Sequence, residues 1–226
     1  MRLRVVVWNV RGFRDGVDRV VEVARHFEPD LVLLNESGSR RKLRRFGEGM
    51  GMAVAADPLS PLRRRIKDAV LVRPPWRVVE RWLHRFEDVR RPMYPRGALM
   101  AQVGCAGLRM WVISVHLGLH PVERLHSAQE LSDLTRGLKG PVLIGGDCNE
   151  TPDGKAMGFL SERFWDAWLL GGDVAGETFP AKDPTARIDF LFVSEGIVVE
   201  RVLVPSGPSA RAASDHLPVV GELTLT

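Results

Sequence analysis

The sequence predicts a single α/β domain over residues 1–226, built from packed layers with mixed β-sheets. Short apolar runs rich in β-branched residues, typical of buried strands, recur along the chain. They are mixed with segments whose apolar residues recur at helical spacing. Some neighbouring strands are close enough in sequence to pair antiparallel, and no repeat, low-complexity segment or linker divides the chain.

The first half of the chain begins with a predicted β-α-β unit. Residues 3–8 form a buried strand, residues 16–28 an amphipathic helix, and residues 31–34 a second buried strand. Residues 37–67 are rich in arginine and glycine and predict loops with one short helix. Proline and glycine signals then separate three further predicted strands, at residues 69–72, 77–83 and 98–103.

The second half continues the mixture of strands and helices. Residues 108–115 predict a strong strand, and Pro121 opens a helix that continues to about residue 137. Residues 141–144 predict another buried strand, and residues 154–170 a helix. The chain closes with three predicted strands, at residues 188–193, 197–204 and 219–225.

The composition predicts a soluble globular protein rather than a fibre, a disordered chain or a disulfide scaffold. Hydrophobic residues make up 45% and charged residues 27% of the sequence. No apolar run approaches the length of a membrane span, and the opening strand is unlike a secretory signal. Cys105 and Cys148 are expected to be reduced thiols in a cytoplasmic protein, although a bridge between them is also compatible with the sequence. By default we expect a monomer.

The charge balance leaves the chain mildly basic. It contains 32 Lys and Arg residues against 28 Asp and Glu residues, a net charge of +4. This balance is compatible with a polyanionic partner but does not require one. The arginine-rich segments 40–45 and 63–65 are either tracks for a phosphate backbone or solvated basic faces.

Polar residues suited to catalysis lie at or near the ends of the predicted strands. They are Asn9, Glu36, His116, Asp147, Asn149, Asp189, Asp215 and His216. Side chains on separate rigid strand ends can converge on a hard cation such as Mg²⁺, which prefers oxygen ligands. Phosphodiester cleavage also needs a positioned base for water and donors for the charge on the phosphoryl oxygens. Acids and histidines in this arrangement would meet those needs.

Six segments in this order resemble the endonuclease/exonuclease/phosphatase superfamily, which has the deoxyribonuclease I-like fold. They are Val7-Trp8-Asn9-Val10, Leu34-Asn35-Glu36, Ser114-Val115-His116-Leu117-Gly118, Gly146-Asp147-Cys148-Asn149-Glu150-Thr151-Pro152, Arg187-Ile188-Asp189-Phe190 and Ser214-Asp215-His216-Leu217-Pro218. The resemblance spans nearly the whole chain. It implies a four-layer α/β/β/α sandwich, with two packed mixed β-sheets flanked by helices, and a metal-dependent phosphoric ester hydrolase.

The resemblance also implies a metal site and a phosphate contact. Glu36 is expected to be the main ligand of Mg²⁺, for which Mn²⁺ is a plausible substitute, with Asn9 and Asp215 near the same ion. Arg96, in the segment 94–98, is expected to contact the phosphate.

The catalytic roles implied by the resemblance fall on five residues. His216 is expected to act as a base or to orient the phosphate, with Asp189 holding its ring. Asp147 and Asn149 are expected to position the attacking water and the phosphate, and His116 to contact the phosphate. The sequence leaves open whether Asp147 or His216 takes the proton. It also leaves open a structural pairing of Asp189 with the neighbouring arginine, at position 187.

Four positions depart from the usual pattern of the superfamily. Asn35 replaces a common glutamine, and Cys148 replaces a common phenylalanine. Arg11 stands where the abasic-site repair branch usually has an acid, which weakens a repair function. Asp68 stands where many members have asparagine, and its carboxylate would reduce tolerance for a second phosphate nearby.

The leading substrate hypothesis is nucleic acid, favoured by the basic balance and the arginine clusters. The alternative is a small or lipid-derived phosphoester, such as a sphingomyelin-type lipid, an inositol phosphate or a nucleotide, since no insertion for gripping a duplex is evident. A remote alternative is a non-catalytic binding protein that retains the fold. Fold alone does not decide among them.

Overall fold

Twelve strands and six α-helices form the described part of the chain in a computed structural model, which describes residues 1–57, 65–87, 95–173 and 176–226. The strands are β1 (Arg2–Asn9), β2 (Leu31–Asn35), β3 (Ala53–Ala56), β4 (Ala69–Val72), β5 (Arg77–Arg85), β6 (Gly97–Cys105), β7 (Leu108–His116), β8 (Val142–Asp147), β9 (Trp165–Asp166), β10 (Asp189–Val193), β11 (Ile197–Leu203) and β12 (Val219–Leu225). The helices are α1 (Val17–His26), α2 (Arg40–Met50), α3 (Pro121–Arg136), α4 (Lys155–Ser161), α5 (Ala167–Gly171) and α6 (Pro208–Ala213).

The strands form two six-stranded sheets within the described residues. The first sheet has the order β11-β12-β1-β2-β4-β3, and the second has the order β5-β6-β7-β8-β10-β9. Each sheet contains one parallel pair, β1 with β2 and β7 with β8, and its other pairings are antiparallel. Both sheets are therefore mixed, as the sequence predicts.

The side chains of β1 point alternately to the two faces of the first sheet, and this alternation shows how the layers pack. Val5 and Val7 are fully buried in an apolar cluster between the sheets, which Leu143 of β8 joins. Val6 and Trp8 point the other way into a cluster with residues of α1, α2 and α6. A third cluster joins the outer face of the second sheet to α3 and α4. Because successive strand residues face opposite sides, both faces of each sheet are covered, giving the expected four-layer sandwich.

The structure differs from the sequence prediction between residues 154 and 170. The predicted single helix is interrupted, and the two-residue strand β9 pairs there with β10. Helix α4 ends at Ser161, and a separate helix begins where the Asp166 side chain accepts a hydrogen bond from the backbone N–H of Trp168 at 3.0 Å and caps α5. Its carboxylate also binds Arg187 at 2.7 Å, which anchors the turn.

Residues 37–67 contain more regular structure than predicted. Ser39 caps the eleven-residue helix α2 by accepting from the N–H of Lys42, and Gly51 ends the helix with φ of 64°. Strand β3 follows and was absent from the prediction, as was α6 later in the chain. The arginines of segment 40–45 lie on α2, which buries Leu43 and Phe46 against the first sheet. Arg63 and Arg64 lie outside the described residues.

The polar strand ends converge because of the strand register. Asn9 pairs with Asn35 across the parallel β1–β2 ladder, and His116 pairs with Asp147 across β7–β8. Asp189 opens β10 opposite Asp147. The C-terminal ends of four parallel-paired strands thus meet at one edge of the sandwich, where α/β folds commonly place their chemistry.

The structure also bears on two sequence expectations outside the site, one about the cysteines and one about membrane spans. Cys105 and Cys148 are free and buried, so they do not form the bridge that the sequence allows. Within the described segments, no helix combines the length and apolar character needed to cross a membrane.

Candidate active site

Asp147 lies at the centre of the polar cluster and is almost completely buried, with 2% of its surface exposed. Its Oδ2 accepts a hydrogen bond from Nδ2 of Asn9 at 2.9 Å and lies 3.2 Å from Nε2 of His116. Nε2 of His216 is 3.7 Å from the same oxygen. Its Oδ1 accepts from the backbone N–H of Asn149 at 2.9 Å. The structure therefore brings five predicted site residues together around one carboxylate.

The surroundings of Asp147 favour its charged form. Burial alone would raise the pKa of this carboxyl, but the adjacent His116 and His216 and the hydrogen bond from Asn9 lower the pKa below its usual value. Asp147 is therefore ionised at neutral pH.

His216 is paired with Asp189 as expected. Its Nδ1 lies 2.9 Å from Oδ2 of Asp189, and both side chains are buried. Burial alone would lower the pKa of His216, but the charges of Asp189 and Asp147 and the hydrogen bond to Asp189 raise the pKa to about 9. The ring therefore carries a positive charge at neutral pH, with Nε2 directed toward Asp147.

The contacts around His216 fix the position of its backbone and ring. Trp8 donates its indole N–H to the carbonyl oxygen of His216 at 2.8 Å, and the Phe179 ring packs against the imidazole at 4.8 Å between centroids. The alternative pairing of Asp189 with Arg187 is wrong, since Arg187 binds the buried Asp166. Among the described residues, nothing contacts the second oxygen of Asp189 through a hydrogen bond.

An open cavity of about 350 Å³ lies beside this cluster. Its lining combines three acids, five cations and a histidine with two apolar residues. The lining residues are Arg11, Arg14, Glu36, Arg65, Ile66, Lys67, Asp68, Pro95, Arg96, His116 and Asp215. The predicted residues Glu36, Arg96, His116 and Asp215 therefore share one cavity.

Glu36 is suited to holding a cation from this cavity. It is half-buried, and its carboxylate forms no hydrogen bond or ion pair within the described ranges. Its backbone adopts a left-handed conformation, with φ of 49°, and its carbonyl oxygen accepts from the N–H of Gly12 at 2.7 Å. Because an unpaired, partly buried carboxylate is costly, this donor set fits a hard divalent ion.

The other two predicted metal ligands have protein partners. Asp215 forms an ion pair with Nε of Arg11 at 3.1 Å. Asn9 does not line the cavity, and its Oδ1 accepts from the backbone N–H of Arg11 at 3.0 Å. Its amide nitrogen binds Asp147. The geometry therefore gives Asn9 a direct contact with the central aspartate, in addition to the metal role that remains a prediction.

A second set of groups is also close enough to hold an ion. In the part of the chain that the structure describes, one acid and histidine cluster has ligand atoms within 4.8 Å of one another: Asp147, Asp189 and His216. All three are buried. Their facing atoms already pair with one another, as the 2.9 Å contact between His216 and Asp189 shows.

Arg96 lies against His116 at the start of β6. Its Nη1 is 2.7 Å from Nδ1 and 2.8 Å from Nε2 of the imidazole. A guanidinium in the cavity wall beside a histidine provides donors for an anion. Asn149 is held nearby, with φ of 51° and its Nδ2 donating to the carbonyl oxygen of Leu117 at 3.0 Å.

The sequence matches the family model described as "Endonuclease/Exonuclease/phosphatase family" over residues 6–216. The chain belongs to this endonuclease/exonuclease/phosphatase family. Members of the family are hydrolases that act on phosphoesters. The match includes every predicted site residue from Asn9 to His216.

Solved structures share the fold of this endonuclease/exonuclease/phosphatase member at low sequence identity. A family protein from Bacteroides vulgatus is 17% identical with a TM-score of 0.87, and the match covers 100% of both chains. A mannosyl-6-phosphatase from Bacteroides thetaiotaomicron VPI-5482 is 19% identical with a TM-score of 0.84, covering 99% of this chain and 100% of that one. D. rerio TDP2 complexed with a single-strand DNA product is 16% identical with a TM-score of 0.81, covering 99% of each chain. No curated protein matches the sequence.

Sequence reasoning did not assign a role to several residues of this family site. Asn35 and Asp68 were noted as departures from the family pattern, yet Asn35 contacts Asp147 and Asp68 lines the cavity. Burial raises the pKa of Asp68 to about 6, although the His116 charge opposes this shift. Arg14 and Lys67 also line the cavity. Only the fold shows that these two residues reach the cavity. Arginine and lysine are too common in this sequence for either position to be recognised from the sequence alone.

Proposed function

We propose that the protein is a Mg²⁺-dependent phosphoesterase that hydrolyses phosphodiester bonds, with nucleic acid as its substrate. The observation that carries the proposal is the placement of ionised Asp147 between His116 and His216 beside a cavity that holds the unpaired Glu36. A base, cationic donors and an oxygen-rich cation site are the groups that phosphoryl transfer requires.

The metal is assigned to the Glu36 side of the cavity. Glu36 and Asp215, with Asn9 adjacent, would hold Mg²⁺ or the substitute Mn²⁺, and the ion would supply a Lewis acid for a phosphoryl oxygen. We favour these residues over the cluster of Asp147, Asp189 and His216 because the Glu36 carboxylate has no partner among the described residues, whereas the cluster is internally paired.

The remaining residues are assigned to the attacking water, to the phosphate and to the orientation of His216. Asp147 is ionised and accepts three hydrogen-bonding contacts, so we assign it to orient the attacking water and take its proton. His216 is already charged, so we assign its Nε2 to bind a phosphoryl oxygen as negative charge develops. Asp189 keeps the ring oriented. Asn149 and His116 are assigned to the phosphate.

The cavity cations support a polyanionic substrate. Arg11, Arg14, Arg65, Lys67 and Arg96 surround the site from three segments of the chain. Arg96 beside His116 is assigned to a phosphate oxygen, and the others to attracting the negatively charged strand. The free thiols fit a reducing compartment, so we propose that the protein is cytoplasmic. By default we propose a monomer.

A smaller phosphoester is the second candidate because of the cavity dimensions. A volume of about 350 Å³ lies at the lower end of the range for small-molecule pockets, which is roughly 300–1,000 Å³. An inositol phosphate, a nucleotide or a sphingomyelin-type headgroup would be enclosed there, whereas a nucleic acid would extend beyond it.

Supercoiled plasmid nicking at low salt, with Mg²⁺ or EDTA, tests the leading proposal. Wild type is compared with Asp147→Asn and His216→Ala, and with His26→Ala as a control on the exposed side of α1. We expect Mg²⁺-dependent nicking that falls by about 10²–10⁴-fold in the two site variants only. Binding that weakens steeply with salt supports nucleic acid. Turnover of small phosphoesters without nicking supports the second candidate, and no turnover of either class contradicts both.

A further inference from the structure

The Asn35 side chain crosses from the first sheet to the second directly beneath the site. Asn35 is the last residue of β2 and has no exposed surface. Its Nδ2 donates to Oδ1 of Asp68 and to the carbonyl oxygen of Val115, each at 2.9 Å. Its Oδ1 accepts from the backbone N–H of Asp147 at 2.8 Å. Both amide hydrogens and the amide oxygen are therefore used by partners in fixed directions.

These bonds belong to a small polar group of contacts between the sheets, together with the Asn9–Asp147 and Ser114–Leu34 hydrogen bonds. The cluster between the sheets consists of apolar side chains such as Val7, Leu33 and Leu143. Apolar burial is non-directional, so it holds the sheets together without fixing their relative position closely. Hydrogen bonds weaken steeply away from linear geometry, so the Asn35 amide fixes the end of β8 relative to the end of β2.

Asp68 supports this amide from the neighbouring strand segment. It is buried and precedes β4, which pairs with β2. One of its oxygens binds Asn35, and the other has no partner within the described residues. Burying this carboxyl with one unpartnered oxygen is costly, and the bond to Asn35 offsets part of that cost.

We propose that Asn35, held by Asp68, is a positioning residue that sets the backbone of Asp147 relative to Glu36 across the two sheets. The inference rests on the proposed function, in which Glu36 holds the cation and Asp147 activates water. Asn35 itself is fully buried and is not among the residues that line the cavity. Asn35 acts by fixing the distance between Asp147 and Glu36. A displacement of about 1 Å in a catalytic group can lower the rate by about 10²-fold.

One substitution and a matched control test the role by kinetics. Asn35→Leu removes all three bonds, and Ser114→Ala removes a different bond between the sheets, the 3.1 Å contact from Ser114 to the carbonyl oxygen of Leu34. We expect Asn35→Leu to lower kcat by about 10²-fold with KM changed by less than about threefold. Ser114→Ala should lower Tm but leave kcat within about threefold of wild type.

Exchanging the amide and the carboxylate between positions 35 and 68 tests the contribution of Asp68. This test remains informative if Asn35→Leu does not fold. Asn35→Asp places an oxygen where Nδ2 donated, facing the acceptors of Asp68 and Val115. We expect it to lower kcat. Adding Asp68→Asn restores a donor between positions 35 and 68, and should recover kcat by about tenfold or more, as coupled pairs do. Absence of recovery would remove Asp68 from the proposal.

Amide hydrogen exchange separates this inference from the proposed function, because it requires no turnover. The Asp147 N–H should exchange about tenfold faster or more in Asn35→Leu, or in Asn35→Asp, than in Ser114→Ala. If wild type hydrolyses no phosphoester, the proposed function fails and the exchange result still decides whether Asn35 holds Asp147. Unchanged exchange together with kcat within about threefold of wild type would overturn the positioning role.

Discussion

The carboxylate of Asp189 contacts Nδ1 of His216 at 2.9 Å, while Nε2 of the same ring faces Asp147 at 3.7 Å. Two buried acids thus flank one imidazole on its two nitrogens. Because both acids favour the charged ring, the histidine stays protonated well above neutral pH, where it can bind an anion but cannot accept a proton. This arrangement supports the proposal that Asp147, rather than His216, accepts the proton.

Asp189→Asn is expected to lower the pKa of His216 from about 9 toward its ordinary value of 6.5. The folded pKa lies above the unfolded value, so the charged ring contributes stability that is complete below about pH 6.5 and is lost as pH rises through about 9. NMR titration of the imidazole in wild type and variant measures the shift, with the exposed His26 as the internal reference. An unchanged midpoint would contradict the pairing.

Asp68→Asn is expected to flatten the pH dependence of stability. Since burial raises the pKa of Asp68 from 3.8 to about 6, the folded protein holds a proton that the unfolded chain releases. This contribution is complete below about pH 3.8 and is lost as pH rises through about 6. From pH 4 to pH 8, the free energy of unfolding of the variant should gain roughly 2.5 kcal/mol relative to wild type. Urea titrations of both proteins at both pH values measure this change. If the free energies of unfolding of variant and wild type differ by the same amount at pH 4 and pH 8, the prediction is wrong.

Glu36→Gln is expected to abolish stabilisation by Mg²⁺ while leaving the metal-free protein at least as stable as wild type, because it removes a partly buried charge that has no protein partner in the described residues. A ligand present at about 100 times its Kd stabilises the folded state by about 2.7 kcal/mol. Thermal unfolding with Mg²⁺, Mn²⁺ or EDTA measures the effect. Glu48→Gln on the exposed side of α2 is the matched control. An equal Mg²⁺ response in wild type and Glu36→Gln would exclude Glu36 as a ligand.

Asp166→Ala is expected to destabilise the fold strongly by leaving the Arg187 charge buried. The two side chains are 5% and 10% exposed and their charged atoms lie 2.7 Å apart. Breaking such a pair costs about 3–5 kcal/mol, and the lost cap of α5 adds about 1 kcal/mol. The control Asp133→Ala breaks an exposed pair with Arg136 and should cost less than about 1 kcal/mol. Urea unfolding measures both, and equal small losses would contradict the prediction.

The strand-end residues could be predicted from sequence because their signal is local. His116 and Asp147 each follow an apolar run, and buried runs bounded by polar residues identify strands without knowledge of their neighbours. The parallel ladders then place these two residues side by side. The layered fold and the sites on its edge are for this reason recoverable from pattern alone.

The features that sequence reasoning missed depend on distant partners. Asp166 lies in the short strand β9 and caps the start of α5, where it is held by Arg187 and β10, and neither partner is near in sequence. The role of Asn35 depends on contacts with residues 33, 80 and 112 positions away. A pattern of apolar spacing contains no information on such pairings, because it describes one element at a time.

The hydrogen bond from Trp8 to the carbonyl of His216 joins positions separated by 208 residues. Strand β1 lies between β2 and β12, so one of its edges stays open until the final strand has been synthesised. An unpaired hydrophobic strand edge invites aggregation, and contacts of such long sequence separation form slowly. During synthesis, β1 therefore stays paired on one edge only until residues 219–225 are available to form β12. A chain truncated before residue 216 would lack His216 and could not assemble the cluster around Asp147.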